Sequence, residues 1–152
     1  MPSDNEKCAD PAHDEAATGC RLATLRKRSQ IDFEIEFFER ILSRDPNYVE
    51  VLMNLGDLFT RKGCHRRALQ ADLRLARLRP TNAEVFYNLA CSYALLNHKS
   101  EAIAALRRAV RLGFTGIDHL LSDPDLESVR THPEFQRLIS QLAGLPGTQH
   151  IL

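Results

Sequence analysis

What this sequence lacks narrows it quickly. It contains no run of 18 apolar residues among its 152, and 26% of its residues are charged, so no stretch of it is suited to a bilayer. Its first residues include Asp4, Glu6, Asp10, Asp14 and Glu15 with no apolar stretch between them, so no secretory leader is expected. The usual signatures of catalysis are also missing. There is no Gly-x-Ser-x-Gly, no glycine loop to cradle a phosphate, no His-Glu-x-x-His and no Cys-x-x-Cys. The chain is therefore expected to be no enzyme and to need no cofactor. Cysteine is scarce, and Cys8, Cys20, Cys64 and Cys91 fall in no paired spacing, the pattern of reduced thiols in a cytoplasmic protein. Cys8, His13 and Cys20 could together offer three zinc ligands, but their spacing is loose and they sit in a polar tail, so no metal site is expected.

Net charge is absent overall but not locally. The 20 basic and 20 acidic residues leave −5 on residues 1–60, +8 on residues 61–111 and −3 on residues 112–152. A neutral chain with a positive middle leaves room for an acidic partner or a polyanion, and equally for a solvated helix face balanced by the acidic flanks.

What is present is a period. Asn54-Leu55-Gly56-Asp57-Leu58-Phe59 returns, altered but in register, as Asn88-Leu89-Ala90-Cys91-Ser92-Tyr93, an offset of 34. The same offset relates Glu50-Val51 to Glu84-Val85, Ala68 to Ala102, and Arg77-Leu78 to Arg111-Leu112. A fixed period of this length means stacked helical units, each too small to bury its apolar face without a neighbour.

Residues 1–14 are polar and acidic and are expected to be a disordered tail. Between Glu15 and Ser29 only Ala16, Ala17, Leu22 and Leu25 repeat at helical spacing, interrupted by Gly19. Ile31, Ile35, Phe38, Ile41 and Leu42 predict a helix over 31–44, which Asp45-Pro46 ends because the residue before proline is pushed out of the helical region. Asn47, with Glu50 three residues on, is expected to cap a helix that carries Val51, Leu52, Leu55, Leu58 and Phe59 inward and stops at Gly63. A helix over 64–78 follows, closed by Pro80. Thr81 and Glu84 have capping-box spacing for a helix to Leu96, and Ser100 is placed to cap one over 101–112. Beyond Gly116 the period fails. Asp123-Pro124 and His132-Pro133 each read as a cap followed by a first-turn proline. They predict short helices with Leu126 and Val129, then Phe135, Leu138, Ile139 and Leu142, turned inward. Residues 144–152 are expected to fray.

Two antiparallel helices per repeat, with small residues at fixed places, resemble the tetratricopeptide repeat. Residues 49–82 supply Leu52, Leu55, Gly56, Phe59, Ala68 and Pro80 of its pattern, and residues 83–116 supply Phe86, Leu89, Ala90, Tyr93, Ala102 and Ala109. Residues 15–48 look like a degenerate repeat, with Phe38 at the aromatic position, and residues 117–143 like capping helices. The resemblance implies an all-α, right-handed solenoid of helical hairpins, about two and a half to three repeats long. Gly56 and Ala90 would let the two helices of each hairpin approach closely. One position departs from the pattern: Asp72 stands where the family prefers an aromatic, and if buried it needs a hydrogen-bond partner.

The resemblance also implies a binding surface, since the exposed side of each first helix lines a concave groove in this family. By position that surface is Glu50, Met53, Asn54, Asp57 and Arg61, then Glu84, Tyr87, Asn88, Cys91 and Leu95. The asparagine amides can both donate to and accept from a peptide backbone, and Met53 and Tyr87 offer adaptable apolar contact. Some family members grip a terminal carboxylate here with basic residues, but Met53, Asp57 and Glu84 do not supply them. The expected ligand is neutral or weakly basic. The leading reading is an adaptor that binds another protein as an extended peptide or a helix. Arg66, Arg67, Arg74, Arg77, Arg79, Arg107, Arg108 and Arg111 fall mostly on second helices and support the alternative, a polyanion or nucleic-acid binder, although no aromatic stacking platform accompanies them. A regulatory subunit of an enzyme on another chain is the third reading. No membrane partner is implied, and the oligomeric state is left open.

Overall fold

Capping chemistry sets where the helices begin and end. The computed structural model describes residues 29–144. Among these, every regular element is helical: α1 (Gln30–Arg44), α2 (Val49–Lys62), α3 (His65–Leu78), α4 (Ala83–Leu95), α5 (Lys99–Arg111), α6 (Ile117–Ser122), the single 3-10 turn η1 (Pro124–Leu126), α7 (Glu127–Arg130) and α8 (Pro133–Ala143). The expected acidic tail, the first helix of the degenerate repeat and the frayed end beyond Gly144 lie outside the described residues. The chain divides between Ala71 and Asp72, within α3, into two compact units.

In the first unit Ser29 caps α1 by accepting the Asp32 N–H at 3.3 Å. Asp45 follows the helix, its carboxylate taking the Asn47 N–H at 3.3 Å. The cap of α2 differs from expectation. Tyr48, not Asn47, holds the position and contributes no side-chain bond, because the Asp45–Asn47 turn occupies the residues that a capping box would use. Gly63 ends α2 at φ +82°, with its N–H on the Thr60 carbonyl and the Cys64 N–H on the Phe59 carbonyl at 2.7 Å. Nothing lies within 4 Å of where a Cβ would stand on Gly63. The glycine is there for its backbone angle, not for space.

The core of this unit joins Ile35 of α1 to Val51, Leu55, Leu58 and Phe59 of α2, with Cys64 and Ala68 beyond, and Ile31, Phe38, Ile41 and Leu42 pack at its edge. The i, i+3, i+4 spacing of these residues puts them on one side of each helix, as the apolar pattern predicts. Lys62 at the end of α2 pairs with Asp32 at the start of α1 at 2.6 Å, which fixes the two helices antiparallel. That ion pair holds the Asp32 carboxyl below the usual carboxylate range. Cys64 is disulfide-bonded rather than the reduced thiol that its isolated spacing suggests, so thiol chemistry no longer argues for the cytoplasm.

In the second unit Asn82 caps α4, its side chain accepting from the Glu84 and Val85 N–H groups at 3.0 and 3.2 Å. The capping-box spacing points to Thr81, but the helix begins one residue later. Asn97 then adopts φ +61°, with its own N–H on the Ala94 carbonyl and the His98 N–H on the Tyr93 carbonyl, both at 2.9 Å. Gly63 and Asn97 hold the same place in successive repeats and close their helices in the same way, so the period preserves a backbone conformation with two different residues. Helix α5 starts at Lys99, before the expected cap at Ser100, and its N-cap His98 makes no side-chain bond.

Val85, Leu89, Ala90 and Ala94 of α4 are buried with Ala102, Ile103, Leu106 and Ala109 of α5. The fully buried alanines allow the close approach expected of small residues. Both Asp-Pro and His-Pro starts form as predicted. Asp123 accepts the Asp125 N–H at 2.9 Å and His132 accepts the Glu134 N–H at 3.3 Å. The short C-terminal elements close the hairpin: η1 and α7 pack on α4, α7 and α8 on α5. Leu120, Leu126, Val129, Phe135 and Leu142 are buried among them. The fold class is all-α helical hairpins with short C-terminal capping helices, as the sequence implies.

Candidate functional site

Helix α2 presents all five of its expected surface positions to solvent: Glu50, Met53, Asn54, Asp57 and Arg61. Their spacing places them opposite Val51, Leu55 and Leu58, which the core holds. Met53 is 39% exposed, a large apolar side chain amid polar ones. The Asn54 amide donates to the Glu50 carbonyl one turn back at 2.7 Å, which holds the side chain against the helix and leaves its oxygen as an acceptor without a hydrogen bond among the described residues. Asp57 and Arg61 form an exposed pair at 3.5 Å one turn apart. The face is close to neutral, and such a pair yields readily to a ligand because it is worth little in water.

Helix α4 behaves differently. Glu84 and Asn88 are exposed and Leu95 is half-buried, but Tyr87 and Cys91 are only 5% and 8% exposed. The chain's own turn after α6 covers them. The Tyr87 hydroxyl donates to the Asp123 carboxylate, and the Cys91 thiol lies 3.8 Å from the same oxygen. Phe114 stacks on the Tyr87 ring, centroids 4.7 Å apart and nearly parallel, and the His119 ring lies at 5.2 Å. His119 Nε2 is 3.8 Å from Asp123 Oδ2, and Arg130 donates to the Asp123 backbone carbonyl at 2.7 Å. Asp123 thus anchors η1 to α4 while it caps η1.

A thiol, an imidazole and a carboxylate in one cluster call for a chemical test. Burial pushes the Cys91 thiol up, and the Asp123 charge pushes it further. Burial likewise raises the Tyr87 phenol, and its hydrogen bond to Asp123 adds to the rise. Both groups hold their protons at neutral pH and serve as donors to Asp123. A thiol nucleophile must be a thiolate, so this arrangement ties the fold together rather than activating a sulfur.

Asp72, the departure from the repeat pattern, is 6% exposed and accepts from the Ser92 hydroxyl at 2.5 Å. Desolvation raises its pKa to about 6 against the opposing pull of Ser92. Ser92 itself is buried on α4, where a hydroxyl is tolerated because this carboxylate receives its proton.

The arginines are partly committed to structure. In the first unit Arg67 pairs with Glu39 and lies 4.3 Å from the centre of the Phe59 ring. In the second, Arg107 pairs with Glu134 at 3.0 Å, while Arg108 stands over Phe86 at 5.6 Å and donates to the Pro80 carbonyl. Arg66, Arg77, Arg79 and Arg111 stay exposed. Glu39 and Glu134 belong to the acidic flanks, which therefore neutralise part of the positive middle.

Sequence reasoning missed the second role of Asp123. Its capping role is legible from Asp-Pro, but its partners Tyr87 and Cys91 lie far back along the chain and nothing local links them. It also left unremarked Phe33 and Phe37, which stand exposed on α1. Cys8, His13 and Cys20 lie outside the described residues, and among the described ones no three His, Cys, Asp or Glu side chains are grouped to hold a metal. No helix among the described residues is long and apolar enough to cross a membrane.

Comparison with known proteins agrees with the hairpin geometry. A family model described as a tetratricopeptide repeat matches residues 83–112. A chloroplastic protein of Arabidopsis thaliana is 33% identical over 86 residues, which are 55% of this chain and 26% of that protein. The chain thus spans about a quarter of the length of this curated relative. Two crystal structures of MamA are similar with TM-scores of 0.60 and 0.63 at 25% and 26% identity. The likenesses cover 85% and 79% of this chain, and 72% and 64% of the solved ones. Residues 83–112 thus match the tetratricopeptide repeat, and the paired helices of the chain are similar in fold to those of the MamA structures.

Proposed function

We propose that this chain is a non-catalytic adaptor that binds a segment of another protein, and that the exposed face of α2 is its main contact surface. The observation that carries the reading is the contrast between the two first helices. On α2 all five groove positions face solvent, whereas on α4 the Asp123 turn covers Tyr87 and Cys91. A ligand on α2 finds Met53 as an apolar anchor, the Asn54 oxygen as an acceptor for a backbone N–H, and Glu50, Asp57 and Arg61 as a rim. Two carboxylates against one guanidinium favour a neutral or weakly basic segment. Helix α4, taken by itself, exposes Glu84 and Asn88, with Leu95 half-buried. The polyanion reading is the weaker one, because Arg67, Arg107 and Arg108 already have intramolecular partners.

The test is a pull-down with Met53→Glu/Asn54→Ala beside Arg77→Glu/Arg111→Glu, the second pair altering exposed arginines that no carboxylate neutralises among the described residues. Loss of captured proteins with the α2 pair alone supports the groove. Loss with the arginine pair alone, together with salt-sensitive retention on nucleic acid, would replace it with the polyanion reading.

A further inference from the structure

We propose that Cys64 is bonded to Cys20, and that this bond is a glutathione-sensitive staple across the open end of the α1–α2 hairpin. Cys64 is disulfide-bonded and Cys91 is free, so of the four cysteines in the chain only Cys8 and Cys20 can supply the partner. The hairpin itself shows which. Its closed end is the turn at Asp45–Asn47, and at its open end Lys62 pairs with Asp32 at 2.6 Å. Ile35 of α1 shares a core cluster with Cys64, and Ile31 packs at the edge of that cluster. The chain therefore enters α1 beside Cys64. Cys20 lies nine residues before Ser29, whereas Cys8 lies 21 before it. Loop closure falls with about the 3/2 power of length, which favours the nearer cysteine about threefold to fourfold. The neighbouring residues favour it again. Cys64 is 2% exposed, so its partner must follow it out of water. Cys20 stands among Ala16, Ala17, Leu22 and Leu25, whereas Cys8 stands among Asp4, Glu6, Asp10 and Asp14.

The loop that this bond closes contains all of α1 and α2, so it fastens the hairpin that carries the exposed α2 face. The place of Cys64 also makes the bond exchangeable. Cys64 precedes α3, and its carbonyl accepts the Arg67 and Ala68 N–H groups, both at 3.0 Å. A sulfur released there lies at a helix N-terminus next to the exposed Arg66, and both favour the thiolate. Burial works against attack, so exchange waits on opening of the hairpin end. A glutathione thiolate then attacks the Cys20 sulfur, the Cys20–Cys64 bond breaks, and Cys64 leaves as a thiolate and takes a proton. A second glutathione thiolate attacks the glutathione sulfur of the mixed disulfide, and Cys20 is freed as a thiol. Two glutathione thiols thereby become one glutathione disulfide, and the chain gains two thiols. Glutathione disulfide is the oxidant of the reverse reaction.

Peptide mapping of the full chain, alkylated in denaturant without reduction, tests the assignment. Cleavage after Glu15 separates Cys8 from Cys20. The expected product joins the Cys20 peptide to the Cys64 peptide, with Cys8 and Cys91 alkylated. A Cys8–Cys64 link, a link between two copies, or four alkylated cysteines overturns the proposal. Thermal melts test the staple. Reduction is expected to lower the Tm by at least about 5 °C, because the closed loop is long. Cys20→Ser is expected to melt like the reduced wild type and to ignore reductant, while Cys8→Ser keeps the shift. Equal Tm for the oxidised and reduced wild type overturns the staple. A large excess of reduced glutathione is expected to abolish the linked peptide, and glutathione disulfide to restore it. A link that survives this excess overturns the sensitivity to glutathione and leaves a permanent crosslink.

Discussion

Replacing Asp72 by asparagine turns the least expected residue of the repeat into a measurement. Asp72 is 6% exposed, with Ser92 donating to it at 2.5 Å, and burial raises its pKa from 3.8 to about 6. The unfolded chain ionises this carboxyl near pH 4, whereas the folded chain holds the proton until about pH 6. The contribution of the protonated group to stability is therefore complete below pH 3.8 and is lost as pH rises through about 6. At about 1.4 kcal/mol per pH unit, ionised Asp72 costs the fold about 3 kcal/mol relative to acid conditions. Asparagine keeps an oxygen to accept from Ser92 and cannot ionise. Its NH2 group adds a constant offset of either sign, which does not depend on pH. The quantity to follow is thus the difference in unfolding free energy between variant and wild type, from urea denaturation by circular dichroism between pH 4 and pH 8. That difference is expected to move in favour of the variant by about 2.4 kcal/mol over the range, with most of the change before about pH 6.5. A difference constant to within about 0.5 kcal/mol would refute the argument, since it would mean that ionised Asp72 reaches water without cost.

Three further outcomes follow from particular contacts. Asn97→Gly is expected to stabilise by about 0.5–1 kcal/mol and Asn97→Ala to destabilise by a similar amount, because the residue sits in the left-handed region at the end of α4; thermal melts of the pair check this. Tyr87→Phe removes a donor from the Asp123 carboxylate and is expected to cost about 1–3 kcal/mol, with amide exchange quickening in 117–130 before it does in α5. Unchanged exchange there would show that Asp123 does not anchor η1. Gly56→Leu is expected to cost about 1–3 kcal/mol or more by overpacking at a buried position, and a melt with no loss of stability would reject the repeat register.

Most of the helical framework is legible in the sequence because its causes are local. The i, i+3, i+4 apolar spacing, Asp45-Pro46, Gly63, Asp123-Pro124 and His132-Pro133 each act within a turn or two of themselves. The departures are of the same scale. Asn47, Thr81 and Ser100 all have residue types that cap helices, and the caps form at Tyr48, Asn82 and His98 instead. In these cases several adjacent residues could serve, and packing of the helix decides where the first turn falls.

The candidate surface divides along the same line. The period alone determined that Glu50, Met53, Asn54, Asp57 and Arg61 lie on one face of a helix, and equally Glu84, Tyr87, Asn88, Cys91 and Leu95, because position in a repeat fixes direction around the helix axis. It could not determine whether that face meets water. Tyr87 and Cys91 are covered because Asp123, 36 and 32 residues further along, needs donors for a carboxylate held in a largely apolar cap. Asp72 is stable in the core for the same kind of reason, with Ser92 brought to it from 20 residues away. Periodicity and turn chemistry are properties of short stretches and can be read in order. The pairing of buried polar groups depends on which distant stretches meet, and only the tertiary structure decides that.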